Sequence, residues 1–486
     1  MSREDMIKNY KFKTKPYDHQ KLALEKSWAE KTYALFMEMG TGKSKVLVDN
    51  MAILYEQAAI RGALIVAPKG VYKNWHDIEI PVHLPDHIKH SKVLWEASQT
   101  KRKKLELDTL FDGNPELKVL IMNVEAFSTK KGLDFAHSFL NMLAGKALLG
   151  IDESTTIKNP TAKRTKSILR IGNLASYRRI LTGSPVTKSP LDLYSQCEFL
   201  DQKHLGHPSY YSFRARYAQM IKRNFGGRQV QIVGSYRRLD ELALKLENFS
   251  YRVLKEDCLD LPPKVFTTRI VELTDEQKEK YAMMKATAIA EHKGEIMSSQ
   301  SALTTLLRLH QITCGHMKLD NKEIVHIKNN RLTALMDCLE ETDGKVIIWA
   351  NYVADLKNIT AALKKAYGEA STVEYHGSVD ATLRQDNIAQ FQDVKGPARF
   401  FVGNAQTGGY GITLTAANTV IYYSNNYDLE KRLQSEDRAH RIGQTGSVTY
   451  VDLIAEKTID ERIIKSLKDK IGIANEIMGE DIKDWI

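Results

Sequence analysis

The chain has 486 residues and carries a formal net charge of +10; 43% of its residues are hydrophobic and 27% are charged. At about 150 residues per domain, this length predicts three units, or two large lobes with insertions. The hydrophobic content is sufficient for large cores, and the charged content is ordinary for a soluble protein. The basic excess favours an anionic partner such as nucleic acid, although many soluble proteins are basic without binding any.

The cysteines and the N-terminus argue against two further classes of protein. The four cysteines form no Cys-x-x-Cys pair and no disulfide framework, which is typical of a reducing compartment. Residues 2–15 lack the apolar core of a signal peptide, and no apolar run approaches the ~18 residues of a membrane span. We expect no membrane association and a place in the cytoplasm (nucleoid or host cytoplasm for a bacterial or viral source) or, in a eukaryote, in the nucleus.

The first stretch that indicates chemistry is 38–44, with the sequence Glu-Met-Gly-Thr-Gly-Lys-Ser, between an apolar run at 33–37 and an amphipathic run at 46–55. This order predicts a strand, a glycine-rich turn and a helix. The backbone N–H groups of such a turn form a cradle for phosphate oxygens at the positive end of the helix. Lys43 would reach the β- and γ-phosphates, and the Ser44 hydroxyl would hold Mg²⁺. Met37 stands where the strict pattern has a small residue, so an ordinary turn is the alternative.

Short apolar runs separated by helix-length segments follow in the first part of the chain, at 63–67, 119–122, 147–151 and 179–182. Runs of this kind predict parallel strands that are buried on both faces. Each run ends in small or polar residues, and the carboxyl ends of parallel strands meet at one crevice. We therefore expect these end residues to face the 38–44 stretch; they are Pro68-Lys69, Asn123, Asp152-Glu153 and Thr182-Gly183-Ser184.

The acidic pair Asp152-Glu153 has a specific use beside a phosphate cradle. Asp152 would hold Mg²⁺ directly or through water, and Glu153 would orient the water that attacks the γ-phosphate. The alternative is a pair of carboxylates at a helix N-terminus, where acidic residues are favoured.

The middle of the chain predicts a change of structure. From about Leu191 to Leu259 the strand signal fades, and the segment is expected to be a mostly helical insertion. The prolines of 261–264 mark a boundary, because two prolines stop a helix. A strand at 267–273 and a helix with a capping box of Thr274 and Gln277 follow. A second α/β unit then has strands at 344–350, 373–376, 398–402, 419–423 and 448–453, with amphipathic helices from 459 onward.

A second polar group lies at 429–444. Asp428 is expected to cap a helix that runs to about His440. On this helix Gln434, Arg438 and Arg441 would share a face, because they are spaced four and three residues apart. Two arginines on one face offer fixed positive charge to a triphosphate. A solvated basic helix face is the alternative.

One group of side chains raises the question of a metal other than magnesium. His310, Cys314, His316 and Cys338 are all of ligand type, but no second ligand pair has suitable spacing. We expect no zinc site there.

Taken together, these blocks resemble the Swi/Snf-type DNA translocases of helicase superfamily two, in order across residues 14–465. The most specific block is Asp437-Arg438-Ala439-His440-Arg441-Ile442-Gly443-Gln444. The other matching blocks are Tyr17-Asp18-His19-Gln20, 38–44, Ile65-Val66-Ala67-Pro68 with Asn74-Trp75, Asp152-Glu153 with Lys158-Asn159, Leu181-Thr182-Gly183-Ser184-Pro185, 261–264, and 403–414 with Gly408, Gly409 and Gly411.

The resemblance implies an α/β fold of two RecA-like lobes, each a parallel sheet flanked by helices, with short helical insertions between them. It implies an ATP-dependent enzyme that moves along double-stranded DNA with ATP and Mg²⁺ as cofactors. The predicted limits are 1–195 for the first lobe, 196–330 for the helical insertion and linker, 331–458 for the second lobe, and 459–486 for a C-terminal helical segment that packs back on the lobes.

The resemblance also implies roles for individual residues. The catalytic residues would be Lys43, Asp152, Glu153, Arg438 and Arg441, with Ser44 and Asp152 at the metal. The nucleotide contacts would be Gln20, Gly40, Thr41, Gly42, Lys43, Ser44 and Gln434. The DNA contacts would be Lys69, Asn74, Asn123, Asn351, Thr407 and Gly408, whereas Trp75 and Trp349 are expected in the core.

The chain departs from the family pattern in two places. Ser154-Thr155 stands where the acidic motif continues with a small residue and a histidine, and that histidine helps to couple hydrolysis to lobe motion. Ser184 and Val186 replace the usual residues of the motif that follows Thr182. Two other functions fit the same blocks: a strand-separating or annealing helicase that acts on forks, and an ATP-gated DNA-binding scaffold.

Overall fold

The computed structural model describes residues 3–98, 100–225, 228–294, 299–319, 323–408 and 411–478. These residues form two compact units. The first contains the chain up to Ala218, the segment Tyr236–Asp260 and a short stretch from Ile473. The second contains Gln219–Ser235 and Leu261–Gly472. One limit between the units therefore falls beside Pro262 and Pro263.

The first unit is organised around a seven-stranded sheet in which every neighbouring pair is parallel. In chain order the strands up to Val253 are β1 (Thr32–Met37), β2 (Gly62–Ala67), β3 (His90–Leu94), β4 (Leu117–Asn123), β5 (Ala147–Asp152), β6 (Tyr177–Leu181), β7 (Ala218–Phe225), β8 (Arg228–Tyr236) and β9 (Ser250–Val253), of which β7 and β8 belong, apart from their outermost residues, to the second unit. The sheet order is β3-β4-β2-β5-β6-β1-β9, whereas β7 and β8 form a separate two-stranded sheet. Every residue of β2 and β5 is buried, as the apolar runs predicted for strands covered on both faces.

The expectation of a mostly helical segment between Leu191 and Leu259 was wrong, because the segment contains β7, β8 and β9. Val230, Ile232 and Val233 follow the Gly226-Gly227 pair, which lies outside the described residues, and this is a hairpin signal. The strand β9 is only four residues long and pairs with β1 at the edge of the sheet. A short edge strand has a weak sequence pattern, so the pairing that defines it is visible only in the fold.

Helices surround the first sheet. They are α1 (Arg3–Asn9), α2 (Asp18–Ser27), α3 (Lys43–Glu56), α4 (Tyr72–Asn74), α5 (Ile80–His83), α6 (Lys101–Asp108), α7 (Lys130–Met142), α8 (Lys163–Gly172), α9 (Leu193–Leu200), α10 (Tyr210–Tyr217), α11 (Leu239–Glu247) and α12 (Lys255–Cys258). A π-helical turn at Trp75–Glu79 joins α4 to α5. Such a turn inserts an extra residue into the helix and re-aims the side chains around it.

A fully buried guanidinium ties α2 and α3 to the sheet. Arg179, on β6, donates from Nη2 to the carbonyl oxygens of Ser27 (2.7 Å) and Glu30 (2.8 Å), and from Nε to Oδ1 of Asn50 (2.9 Å). Burial lowers the pKa of Arg179 to about 10. The hydrogen bonds offset the cost of burying this charge and fix where α2 ends.

The second unit contains a six-stranded sheet that is also parallel throughout, in the order β10-β17-β16-β13-β15-β14. Its strands are β10 (Lys264–Ile270), β13 (Lys345–Trp349), β14 (Thr372–Tyr375), β15 (Phe400–Gly403), β16 (Ala417–Tyr422) and β17 (Val448–Ile454); β11 (His316–Lys318) and β12 (Ile324–His326) form an antiparallel pair. The helices are α13 (Asp275–Gly294), α14 (Ser299–Thr313), α15 (Arg331–Glu340), α16 (Val353–Tyr367), α17 (Ala381–Gln392), α18 (Ala405–Gly408), α19 (Leu429–Glu436) and α20 (Ile459–Met478). The predicted fold of two RecA-like α/β units is therefore confirmed, with strands as well as helices in the inserted segment.

Two local predictions for the second unit are also confirmed. The Thr274 backbone N–H donates to Oε1 of Gln277 and the Gln277 N–H donates to Oγ1 of Thr274, which is the predicted capping box at the start of α13. Trp349 is fully buried, as expected for a core residue. Within the described ranges, no helix has the length and apolar character needed to cross a bilayer.

We predict that Arg179→Met lowers the free energy of unfolding by about 3 kcal/mol, because buried carbonyl groups and the Asn50 amide lose their donor. Urea denaturation measures this as a lower midpoint for the first unit. Arg170→Met is the matched control, since Arg170 is exposed on α8, and it should cost less than about 0.5 kcal/mol. Equal midpoints for the two variants would contradict a tethering role for Arg179.

Candidate nucleotide-binding site

The stretch 38–44 is a turn between β1 and α3, as predicted. Gly40 and Gly42 have φ angles of +82° and +88°, a region that favours glycine, and α3 begins at Lys43. The first N–H groups of a helix have no acceptor within the helix. Those of Lys43, Ser44 and Lys45 therefore form the donor edge that an anion needs.

Gln20, which is predicted to contact the nucleotide, is on α2 and its side chain is hydrogen-bonded to this turn. Nε2 of Gln20 donates to the carbonyl oxygen of Thr41 (3.0 Å), and Oε1 of Gln20 accepts from the Tyr17 backbone N–H (3.0 Å). Nε2 of His19 also lies 2.8 Å from the Thr41 carbonyl oxygen. The start of α2 is thus joined to the turn by two side chains, of which the sequence singled out only Gln20.

Lys43 lies close to its own loop. Its side chain is buried, and Nζ is 3.4 Å from the carbonyl oxygen of Glu38. The Glu38 carboxylate in turn accepts from the backbone N–H of Lys255 (2.7 Å). The ammonium group of Lys43 therefore lies within the turn, beside the donor edge of α3, where it can neutralise phosphate charge. The Ser44 hydroxyl lies on the first turn of the same helix and is of the type that binds Mg²⁺.

Asp152 ends β5 as a buried carboxylate with defined donors. Oδ2 accepts from Nε1 of Trp75 (2.9 Å), and Oδ1 accepts from the Glu153 backbone N–H (3.0 Å). Burial raises the pKa of Asp152, while the Trp75 hydrogen bond and the Lys43 charge act in the opposite direction. A carboxylate that is held in this way near the Lys43 ammonium group is suited to bind a hydrated magnesium ion.

Trp75 is a residue whose part in the site the sequence did not indicate. It is only 1% exposed, as expected for a core residue. Its indole N–H nevertheless fixes the orientation of Asp152, and the π-helical turn that begins at Trp75 aims the ring. No local pattern identifies this contact, since Trp75 and Asp152 are 77 residues apart.

Glu153 has an unusual backbone. Its φ and ψ angles are +47° and +62°, a left-handed conformation that non-glycine residues seldom adopt, and a 3₁₀ turn follows at Ser154–Ile157. Strain of this kind is found where the surrounding structure holds a functional side chain in place.

The three residues predicted for DNA contact in the first unit lie at the end of β4 or in the segment after β2. Lys69 is exposed after β2, and Asn74 is half-buried on α4. Asn123 ends β4, directly beside Ala67 of β2 in the sheet register, and its Oδ1 accepts from the Ala126 N–H (2.9 Å). Asn123 therefore caps its own loop, and Lys69 and Asn123 lie at the same edge of the sheet.

In the second unit the cap of α19 is confirmed, but the predicted length of this helix was wrong. Oδ1 of Asp428 accepts from the Lys431 N–H, and the helix ends at Glu436 instead of near His440. The backbone N–H of Arg438 donates to the Ser435 carbonyl oxygen, and Nε of the Arg438 side chain donates to the Gln434 carbonyl oxygen (2.8 Å). The guanidinium thus replaces the backbone donor that would have continued the helix.

Arg438 and Arg441 are nevertheless brought together. Nη1 of each donates to the carbonyl oxygen of Ile412, at 3.0 Å and 3.3 Å. The Gln434 side chain is buried and lies beside the side chains of Glu430 and Lys431. In the second unit both guanidinium groups therefore bind the carbonyl oxygen of Ile412, which belongs to the 403–414 stretch.

The second-unit residues predicted for DNA contact also lie near strand ends. Asn351 follows β13; its Oδ1 accepts from Nδ2 of Asn426 (3.2 Å). Thr407 and Gly408 lie on α18, and Gly408 has no room for a side chain because a Cβ would stand 2.5 Å from the Trp349 ring. Gly409, which was singled out with them, lies outside the described residues.

The side chains considered for zinc have other contacts. Tyr352 OH lies 2.9 Å from Nδ1 of His310, and Nδ1 of His316 lies 3.0 Å from Oδ1 of Asp355. All four cysteines, Cys314 and Cys338 among them, are free thiols. Among the residues that the structure describes, no group of three or more metal-ligating side chains is found.

Two protein families match the chain. The SNF2-related domain family matches residues 21–318, and the helicase conserved C-terminal domain family matches residues 328–443. The chain belongs to the SNF2-related family. The two matches together run from residue 21 to residue 443, within the predicted range of 14–465; they include Arg438 and Arg441 and begin directly after Gln20.

Curated relatives are similar over most of this chain. The uncharacterized ATP-dependent helicase MG018 of Mycoplasma genitalium is 25% identical over 92% of this chain and 40% of its own length. For the putative ATP-dependent helicase/translocase YwqA of Bacillus subtilis the identity is 25%, over 92% and 46%. For the CHD3-type chromatin-remodeling factor PICKLE of Arabidopsis thaliana it is 25%, over 93% and 33%. The chain spans less than half the length of these relatives.

One solved structure is similar to this chain over nearly the full length of both chains. The SWI2/SNF2 ATPase core of Sulfolobus solfataricus in complex with dsDNA covers 97% of this chain and 99% of its own, with 23% identity and a TM-score of 0.43.

We predict that Gly42→Ala lowers the free energy of unfolding by about 2 kcal/mol. About 1 kcal/mol comes from the left-handed backbone. A similar amount comes from displacing Gln20, because the new Cβ would stand 2.2 Å from Nε2 and the hydrogen bond to Thr41 would be lost. Urea denaturation of purified variants measures both contributions.

Gly113→Ala separates the two contributions, because Gly113 has a φ of +76° with nothing within 4 Å of the added atom. It should show the backbone cost alone. In a Gln20→Ala background the excess cost of Gly42→Ala should disappear. An excess that persists there would show that Gln20 does not pack against this glycine.

Proposed function

We propose that this chain is an ATP-dependent motor that moves along double-stranded DNA. The observation that carries the proposal is the convergence of Lys43, the donor edge of α3 and the Trp75-oriented Asp152 at the ends of β1 and β5, which lie on either side of β6 in the sheet. A phosphate cradle next to a buried, oriented carboxylate is the arrangement that nucleoside triphosphate hydrolysis requires. Family membership, and relatives named ATP-dependent helicase, helicase/translocase and chromatin-remodeling factor, support the same class of function.

In this proposal the residues divide the work of hydrolysis. The N–H groups of α3 and the Lys43 ammonium hold the β- and γ-phosphates, and Ser44 and Asp152 bind hydrated Mg²⁺, which supplies positive charge to the phosphate oxygens. Gln20 reads the adenine. Glu153 orients the attacking water, and the guanidinium groups of Arg438 and Arg441, with Gln434 nearby, supply charge to the transferring phosphoryl group.

DNA is bound through its phosphates in this proposal. Lys69, Asn74 and Asn123 contribute from the strand ends of the first unit, and Asn351, Thr407 and Gly408 contribute from those of the second. Such contacts carry little sequence information, so binding should depend steeply on salt and weakly on sequence.

We predict that duplex DNA stimulates ATP hydrolysis by the wild-type chain, and that Glu153→Gln keeps ATP binding while reducing turnover at least about 100-fold. The amide retains the shape of the side chain but cannot act as a base for the attacking water. Steady-state hydrolysis with and without duplex DNA, and binding of a fluorescent ATP analogue, measure the two effects. Glu125→Gln, at an exposed position on the turn after β4, is the control and should behave as wild type.

Two outcomes would replace the motor by another function. Release of a third strand from a triplex, without separation of a plain duplex, supports translocation, whereas clear unwinding of the duplex supports a strand-separating helicase. Tight DNA binding without multiple turnovers supports an ATP-gated scaffold. Turnover of Glu153→Gln near the wild-type rate would refute the assignment of this carboxylate.

We predict further that Trp75→Phe moves the acidic limb of the ATPase pH profile to higher pH. The indole N–H stabilises the ionised form of Asp152, so its loss raises the pKa of that carboxyl group. Less of the ionised form then remains at a given pH, and activity on the acidic side falls. The measurement is kcat/KM against pH.

Trp95→Phe is the matched control for this prediction. Trp95 is also buried in the first unit, and within the part of the chain that the structure describes its Nε1 has no hydrogen-bond partner. Its loss should leave the pH profile in place. An unshifted profile in Trp75→Phe would mean that the indole serves packing alone.

A further inference from the structure

A fully buried amide lies behind the acidic pair, on a helix that the family motifs do not include. Gln196 is on α9 and is 0% exposed. Its Nε2 donates to the carbonyl oxygens of Pro185 (2.9 Å) and Asp192 (2.8 Å), and its Oε1 accepts from the Ser154 hydroxyl (2.7 Å). Because both amide hydrogens are directed at carbonyl groups, the orientation of the side chain is defined and Oε1 must face Ser154.

These three bonds join two loops that carry different motifs. Ser154 follows β5 directly after Glu153, and Pro185 lies in the loop after β6. The two strands are parallel neighbours, with Asp152 opposite Leu181 in the register. Among the described residues, no backbone hydrogen bond joins the two loops beyond the strand ends, and the Gln196 side chain links them instead.

A second chain of contacts links the same two loops. Nζ of Lys158 donates to Oγ1 of Thr187 (2.6 Å). The Thr187 N–H donates to Oδ2 of Asp192 (3.1 Å), which also accepts from the Lys188 N–H (2.8 Å). Asp192 and Gln196 are one helical turn apart, so both links end at the start of α9.

The residue between β5 and Ser154 is Glu153, whose left-handed backbone persists only if its neighbours hold it. On one side the Glu153 N–H donates to Asp152 Oδ1. On the other side the Glu153 carbonyl oxygen accepts from the Thr156 N–H (3.0 Å), and the hydroxyl of the adjoining Ser154 donates to Gln196. One of the residues that flank Glu153 is thus tied to an amide 43 positions further along the chain from Glu153.

We propose that Gln196 is a positioning residue for ATP hydrolysis: through Ser154 it holds Glu153 in the left-handed conformation that aims its carboxylate, and through Pro185 it keeps the loop after β6 in register with it. The inference rests on the proposed hydrolysis of ATP but not on the proposed movement along DNA. Gln196 contacts no reacting group, so it acts on the orientation of Glu153 and not on the binding of phosphates.

The test compares Gln196→Met, Ser154→Ala and the double variant with wild type. Met has nearly the volume of Gln but makes none of the three hydrogen bonds. We expect Gln196→Met to lower kcat for DNA-free ATP hydrolysis about tenfold while KM for ATP changes less than about twofold, since a misplaced catalytic group lowers turnover and the Lys43 cradle is untouched. Ser154→Ala should lower kcat in the same direction, and the double variant should be no slower than Gln196→Met, because one bridge cannot be broken twice.

Ser195→Ala is the matched control. Ser195 is the preceding residue of α9, it is 0% exposed, and among the described residues its hydroxyl has no hydrogen-bond partner. The kcat of Ser195→Ala for ATP hydrolysis should equal that of wild type. Amide hydrogen exchange gives a second readout that does not require activity: Gln196→Met should accelerate exchange at 153–158 and at 183–188, whereas Ser195→Ala should not.

The outcomes separate this inference from the proposed function. Three outcomes would each overturn the positioning role, whether or not DNA stimulates hydrolysis. They are a kcat for Gln196→Met within twofold of wild type, equal losses of kcat and of affinity for ATP, and additive losses of kcat in the double variant. Loss of DNA stimulation in wild type would overturn the motor proposal and leave the positioning role supported by the DNA-free rates. If wild type hydrolyses no ATP, unchanged hydrogen exchange in Gln196→Met overturns the bridge, and faster exchange supports it.

Discussion

The buried carboxylate of Asp152 is the point at which the segments of the candidate nucleotide site in the first unit meet. An ionised carboxylate at the end of a buried strand is costly unless donors meet it, and burial does raise its pKa. Trp75 supplies one donor from a π-helical turn, the Glu153 N–H supplies another, and Lys43 contributes charge from the 38–44 turn. Three segments that are far apart in sequence are thus held by one side chain. The same burial keeps water from competing for those donors, which is the condition under which a carboxylate remains aimed.

The second unit also contains a buried charged group, the guanidinium of Arg432, which is met by groups of opposite charge. Arg432 is buried on α19, where it pairs with Glu436 (2.8 Å) and with both carboxylate oxygens of Asp452 on β17 (2.5 and 3.0 Å). Its guanidinium also lies over the Tyr422 ring, 3.5 Å from the centroid. These contacts fix α19 against β16 and β17, and the tight turn after Glu436 then places Arg438 and Arg441 on the Ile412 carbonyl. The positions of the Arg438 and Arg441 guanidinium groups therefore depend on a neighbouring arginine that has a structural role.

The sequence predicts the parallel strands well and the contacts across the fold poorly. Continuous apolar runs identify β1, β2, β4, β5 and β6 because strands buried on both faces leave no other pattern. The strand β3 reads His-Ser-Lys-Val-Leu and lies at a sheet edge, so half of it is polar and its sequence gives no such signal. The end of α19 could not be predicted either, because the Arg438 side chain takes a carbonyl that the backbone would have used. In the site, glycine spacing identifies the 38–44 turn, whereas the partners Trp75 and Gln196 are set by tertiary packing.

The Ser154-Thr155 pair is the departure from the family pattern that the structure makes most informative. A histidine at the second of these positions would offer a titratable group next to the acidic pair. Here Thr155 is only 2% exposed, and the neighbouring Ser154 makes a neutral hydrogen bond to Gln196. A neutral bridge does not change its charge between pH 5 and 8, as an imidazole would. The Ser154–Gln196 link between the loops after β5 and β6 should therefore not itself titrate across that range, and the acidic limb of the ATPase pH profile should report the Asp152 carboxyl group.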